Sequence, residues 1–197
     1  SGERYGGRFS LLWKPAENLS ITPRFVYQKV KTDGFNRQEV YNLFANQFTT
    51  TRPQVTFKER QQYLLLDEAF EDEVKLFDLT MSYDGDVIGV TSVTTYTDRD
   101  ILVSRDASAL TGSVSADLGF PVAGILLPSN LVDTTGVKQF TQELRVNSAG
   151  TGPFQWLIGG YYANVKRDYT QRLPTPGYDV FTDARFGAGT SAALANG

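Results

Sequence analysis

Paired carboxylates are the residues of this chain with the most obvious chemical potential. Asp98 and Asp100 are two positions apart, so on a β-strand they would share one face with Cα atoms about 6.5–7 Å apart. Glycosidases use two carboxylates, but they also need neighbours that move the two pKa values apart. The sequence offers none here, and Arg99 and Arg105 indicate ordinary ion pairing instead.

Two other acidic segments raise the question of a cation site. Residues 67–73 contain five carboxylates, and Asp84-Gly85-Asp86 resembles a small part of a calcium loop. A hard-cation site needs oxygens that converge within a defined loop, and neither segment has that spacing. Residues 67–73 fit a solvated loop that leads into a strand, and Asp84-Gly85-Asp86 fits a hairpin turn.

Whole classes of chemistry are missing from these 197 residues. The chain has no histidine and no cysteine, which excludes imidazole bases, catalytic triads, thiolates and disulfides within it. The net charge of −3 offers no basic face for nucleic acid. We therefore expect no enzymatic activity, no cofactor, no metal site and no nucleic-acid partner.

Side chains alternate between apolar and polar along much of the chain, which is typical of β-strands with two different faces. In residues 19–27, for example, Leu19, Ile21 and Phe25 alternate with Thr22 and Arg24. The pattern predicts an all-β fold, an antiparallel up-and-down meander of about six strands. We expect these strands near residues 7–13, 19–30, 73–83, 87–98, 138–147 and 154–170, each paired with its neighbour in sequence.

The connections between these strands alternate between short and long. Short turns are expected at 14–18, 84–86 and 148–153, and long polar stretches at about 31–70, 99–137 and from 172 onward. Loops longer than about 12–15 residues are unusual in compact domains, but transmembrane β-barrels carry them at one rim. Aromatic residues near the short turns fit an interfacial girdle: Trp13, Tyr83, Phe154 and Trp156.

Three hairpins carry a family resemblance. Residues 140–146 (FTQELRV) and 154–162 (FQWLIGGYY) resemble the barrel of TonB-dependent outer-membrane receptors, in which a TQELR strand, a short turn and a WLxGxYY strand recur. Residues 12–15 with 19–23 are similar to the preceding hairpin of that family, and residues 77–80 with 91–99 to the middle one. The resemblance covers most of residues 3–170.

The resemblance implies that residues 1–197 are a partial barrel domain, without the plug domain and the C-terminal strands of a 22-stranded barrel. It implies a bacterial outer-membrane protein for the energised uptake of a scarce solute such as an iron-siderophore. The expected partners are outer-membrane lipid, the plug domain of the same protein, TonB, and a small-molecule ligand at the extracellular loops.

A barrel wall requires two different faces. The residues expected to face the lumen are Thr22, Arg24, Asp78, Thr80, Glu143 and Arg145. The residues expected to face lipid, on the convex side, are Ile21, Phe25, Leu79, Leu144 and Trp156. In the first long loop, Arg37, Tyr41 and Arg52 are candidate ligand contacts, because aromatic and Arg side chains suit planar or anionic ligands. The alternative, which we favour, is that residues 38–48 form a small amphipathic helix that packs on the rim.

Two other functions fit parts of the pattern. A passive porin-type channel would share the barrel but lack a plug. A secreted carbohydrate-binding β-sandwich would bury the same apolar side chains against a second sheet. The exposure of six side chains distinguishes these folds, because a sandwich buries them and a barrel wall leaves them uncovered by the chain. They are Phe25, Phe77, Leu79, Met81, Leu144 and Trp156.

Overall fold

The structure, a computed structural model, describes residues 1–35, 58 and 64–195. Those residues form seven β-strands and four short helices. The strands are β1 (Gly2–Ser10), β2 (Trp13–Ala16), β3 (Leu19–Thr32), β4 (Ala69–Asp84), β5 (Ile88–Asp106), β6 (Asn130–Ser148) and β7 (Leu157–Arg172). The helices are α1 (Ser108–Asp117), α2 (Val122–Ile125), α3 (Tyr178–Phe186) and α4 (Thr190–Ala195).

All seven strands belong to one antiparallel sheet in which strands adjacent in sequence are adjacent in space. The order is β1-β3-β4-β5-β6-β7, with β2 also paired to β3. The predicted all-β antiparallel meander is therefore confirmed. The sheet is open, because β1 and β7 each pair on one side only within the described residues. Within the described residues, the outer strand edges near Phe9 and Tyr161 are therefore unpaired.

The short connections meet at one edge of the sheet, called the turn edge below. At the turn after β4, the Gly85 N–H donates to the Ile88 carbonyl at 3.0 Å, which confirms the predicted hairpin. Between β6 and β7, the Gln155 side-chain amide donates to the carbonyls of Gly150 and Gly152. The long connections meet at the opposite edge, the loop edge.

The strands reach further towards the loop edge than the sequence predicts. β5 continues to Asp106 and β6 begins at Asn130, whereas residues 99–137 were expected to be a loop. The charges that suggested a loop are paired across strands, as between Arg99 and Asp72. Local polarity therefore gave the wrong strand ends, because a cross-strand partner makes a charged residue compatible with a sheet.

A proline explains why the first predicted strand is divided into β1 and β2. The Leu11 N–H donates to the Pro23 carbonyl at 3.1 Å. Because the N–H and C=O of one residue in an antiparallel strand point the same way, the nitrogen of Pro23 also faces Leu11. It carries no hydrogen, so the Leu11 carbonyl has no ladder donor there, and the regular pairing stops at Ser10 and resumes at Trp13.

The buried apolar side chains of the described residues do not lie on the sheet strands. They are Ala107, Phe120 and Ile125, which are 5–8% exposed and belong to the connection between β5 and β6. This connection and α3 together form a helical cap at the loop edge. The Phe120 ring lies 5.2 Å from the Tyr178 ring and 6.3 Å from the Phe181 ring, measured between centroids.

Hydrogen bonds join the cap to the other loops. The Arg185 guanidinium donates to the Leu118 carbonyl at 3.0 Å, and the Ser129 N–H donates to Ser108 Oγ at 2.9 Å. The Asp106 carboxylate accepts N–H bonds from Leu66 and Ser108, one on each of two connections. Three chain segments that are distant in sequence are thereby held together above the sheet.

We expect Phe120→Ala to open the helical cap and leave the sheet intact. Truncating a buried phenylalanine costs about 3–5 kcal/mol, and here that cost falls on a unit whose core is separate from the sheet. Amide hydrogen exchange should become faster in residues 107–129 and 174–186 and stay unchanged in β3 and β4. Leu110→Ala is the control, since Leu110 is 61% exposed. Equal acceleration in both variants would contradict a Phe120-centred core.

Candidate functional site

The six side chains expected to face a lumen share one face of the sheet, called the polar face. Side chains opposite each other in the register point the same way. Thr22 lies opposite Thr80 and Arg24 opposite Asp78. Thr80 lies opposite Val93, and Val93 opposite Glu143. Arg145 follows two residues later on the same face. All six residues therefore lie on one face of the sheet, and the lumen that this face would line stays a prediction.

Three arginine–aspartate pairs run across the polar face. The pairs are Arg24–Asp78, Arg99–Asp72 and Arg105–Asp133. The aspartates are 5–9% exposed as residues, whereas the arginine side chains stay 38–44% exposed. A buried carboxylate without a partner is costly, so each arginine compensates the burial of its aspartate on this face.

The pair near the loop edge has additional partners. Asp133 accepts hydrogen bonds from Arg105 at 2.6 Å, from the Tyr169 hydroxyl at 3.1 Å and from the Gln171 amide at 2.7 Å. These donors come from β5 and β7, the two strands that flank β6. One carboxylate therefore joins three strands, which the sequence pattern did not predict.

The opposite side of the sheet, the apolar face, carries a row of aromatic side chains. The register aligns one aromatic residue on each of five strands: Phe9, Phe25, Phe77, Tyr96 and Phe140. Their exposed fractions are 62, 45, 44, 43 and 38%, so within the described residues no second layer covers this aromatic row. Leu144, Met81 and Trp156 are likewise exposed, whereas Leu79 is half-buried. The expectation of an uncovered apolar face is confirmed.

The apolar face is apolar only between the turn edge and the aromatic row. That band comprises nine residues of β5 (88–96) and nine of β6 (140–148). One small polar group interrupts it. Gln142 accepts a hydrogen bond from the Thr94 hydroxyl at 2.6 Å and donates to Ser92 Oγ at 2.9 Å. These side chains satisfy one another across β5 and β6, so the band contains this polar group without a bond to water.

Beyond the aromatic row the same face becomes charged. The first row past it, the lysine row, contains Lys75, Asp98, Lys138 and Lys166 at mutually opposite positions on β4 to β7. The next row, the acidic row, contains Lys29, Glu73, Asp100 and Asp168. Ion pairs cross the strands here, with Lys29 Nζ 3.0 Å from Glu73 Oε2.

The predicted ligand residues Arg37, Tyr41 and Arg52 lie outside the described residues, as does the alternative helix at 38–48. The described residues of the loop edge include the helical cap, where the sequence pattern predicts only a polar loop. Asp183 of α3 accepts the N–H groups of Ser191 and Gly189, and these bonds hold the pKa of its carboxyl below the ordinary value. Regular apolar spacing, the usual signal for helices, is nearly absent from α1.

An apolar groove of about 410 Å³ opens beside the cap, lined by Leu110, Val114, Leu173 and Tyr178 among others. The described residues contain no group of three or more acidic side chains arranged to hold a metal ion. None of the helices that the structure describes is long and apolar enough to cross a membrane.

Comparison with known proteins adds no identification. No protein-family model matches the chain, and no curated protein is significantly similar to it. The function is therefore inferred from the two faces of the sheet and from the hairpin motifs.

Breaking the Arg24–Asp78 pair should lower the free energy of unfolding strongly only if the Asp78 carboxylate remains. We expect Arg24→Met to lower the free energy of unfolding by about 3 kcal/mol, because it leaves a buried charge without its partner. The double variant Arg24→Met/Asp78→Leu should recover most of that loss. Denaturant unfolding measures both.

The matched control is the exposed pair Arg145–Glu143, whose side chains are 53% and 30% exposed. Arg145→Met should cost less than about 1 kcal/mol. If the two arginine variants lose the same stability, burial of Asp78 does not set the strength of its pairing.

Proposed function

We propose that this chain forms part of the wall of a large β-barrel in the bacterial outer membrane, and that the barrel belongs to a TonB-dependent uptake receptor. The observation that carries the proposal is the apolar face. It presents exposed apolar side chains over a band of defined height, and that band ends at an aligned row of aromatic residues.

The height of the band suits a membrane. A tilted transmembrane β-strand needs about 9–11 residues to cross the hydrocarbon core, and the apolar band comprises nine residues on β5 and on β6. Aromatic side chains concentrate where hydrocarbon meets the headgroups. The aromatic row lies at one limit of the band, and Trp13, Tyr83 and Trp156 lie at the other, near the turn edge.

The other features fit the same role. Charged pairs on the polar face suit a wet lumen or the surface of a plug. Two unpaired sheet edges would be removed if further strands closed the barrel. Short turns at one edge and long connections at the other follow the usual arrangement of such barrels. The three hairpin motifs, which resemble those of TonB-dependent receptors, favour that family over a passive channel.

Spin labels on single cysteines test the membrane placement, and the chain has no cysteine of its own. A label at Leu144→Cys in the full-length protein in bilayers should collide often with dissolved oxygen and rarely with a water-soluble nickel chelate. Thr141→Cys, on the polar face of the same strand, and Asp100→Cys, beyond the aromatic row, should show the reverse. A label at position 144 that is shielded from both reagents would indicate a second protein layer, as in a β-sandwich.

Energised uptake separates the receptor from a passive porin. In iron-limited cells, uptake of the ferric siderophore that the protein supports should fall to background when TonB is disrupted, because release then has no energy source. A porin with the same wall would continue to pass its solute. Uptake that is unchanged without TonB would therefore contradict the receptor and favour the passive channel.

A further inference from the structure

Charge is distributed unevenly among the rows of the apolar face. Moving from the turn edge to the loop edge, the face changes from the apolar band to the aromatic row, then to the lysine row, and then to the acidic row. The lysine row holds three lysines and one aspartate, whereas the acidic row holds one lysine and three carboxylates. The positive charge is thus concentrated in the row nearest the apolar band.

Two of these lysines lie directly opposite each other. Lys138 of β6 pairs with Lys166 of β7 in the register, and both are exposed. Opposed residues on neighbouring strands have Cα atoms about 4.5–5.5 Å apart, and like charges at such positions destabilise a sheet. Neither lysine lies within 4 Å of a carboxylate oxygen among the described residues, although Asp98 is opposite Lys138 on the other side.

The surroundings of the pair indicate which anion would relieve this repulsion. Phe140 follows Lys138 by two residues on the same face, towards the turn edge. A lysine at that position can lay its aliphatic stem over apolar surface and keep its ammonium group in the headgroup layer. The acidic row on the other side repels anions from the loop edge. An anion on this pair is therefore favoured just outside the hydrocarbon, which is where lipid phosphates lie.

We propose that Lys138 and Lys166 form a binding site for a phosphate group of the outer-leaflet lipid that surrounds the barrel. This inference rests on the proposed function, because it requires the apolar face to contact the membrane. Lys75, two strands away and about 10 Å distant at the strand spacing of a sheet, already pairs with Glu73 at 2.9 Å. It extends the positive row without being part of the site.

The test measures lipid that stays bound to the full-length protein in neutral detergent. Wild-type protein and the Lys138→Gln/Lys166→Gln variant are incubated in that detergent with lipid A, the phosphorylated glycolipid, or with its dephosphorylated form. Unbound lipid is then washed away, and the lipid that stays bound is quantified by mass spectrometry. We expect the double variant to retain roughly tenfold less phosphorylated lipid, since each lysine near an anionic surface strengthens the binding of that surface. Lys138→Arg/Lys166→Arg should retain it.

Arg167→Gln is the matched control. Arg167 is adjacent to Lys166 in sequence, so its side chain points to the opposite face, where it lies 5.8 Å from the Tyr169 ring. It should retain lipid like the wild type, and a cooperative thermal unfolding transition in each variant verifies that it is folded. Equal retention by the wild type and the glutamine double variant would overturn the proposal. So would equal retention of the two forms of lipid A by the wild type.

The spin label at position 144 separates this failure from failure of the membrane assignment. If that label meets oxygen and not the nickel chelate while lipid retention ignores the lysines, the barrel wall stands and the phosphate site is wrong. If that label is shielded from oxygen, the apolar face does not contact lipid, and both proposals are wrong.

Discussion

The register of the strands is the constraint on which every other feature of this sheet depends. Side chains alternate between faces with a period of two, so a slip of one residue between β3 and β4 would exchange the faces of a whole strand. Arg24 would then lose Asp78, and Phe25 would leave the aromatic row. Burial on one face cannot enforce the register here, since the sheet has no covering layer among the described residues. The charged pairs of the polar face favour the observed register instead, because each pair forms only when its two strands are aligned in this way.

Those pairs also illustrate how this sheet differs from a typical soluble domain. In a soluble domain the apolar core provides most of the stability and buried charges are exceptions. Here the apolar core of the described residues is confined to the helical cap, and buried carboxylates occur along the polar face of the strands. If the apolar face contacts lipid, membrane contact replaces internal packing. Strand-to-strand hydrogen bonds and Arg–Asp pairs then connect one strand to the next.

Much of this arrangement could be predicted from sequence, because alternation is a local signal. The antiparallel order, the turn at Gly85, the shared face of Thr22 and Glu143, and the exposure of the apolar face all followed from it. The strand ends near Asp106 and Asn130 did not, since their charges are compatible with a sheet only through partners on other strands. The helical cap was missed because α1 is rich in Ser, Ala and Gly and its packing depends on Phe120 and α3, which are far apart in sequence.

The strict neighbour-to-neighbour order of the strands has a consequence for how such a sheet folds. Each strand from β4 to β7 finds its hydrogen-bonding partner in the segment synthesised just before it, so no pairing waits for a distant part of the chain. Each finished hairpin presents an edge that already has the register needed by the next one. A sheet of this kind can widen by repeated addition at its edge, and its final width is set by the number of hairpins encoded.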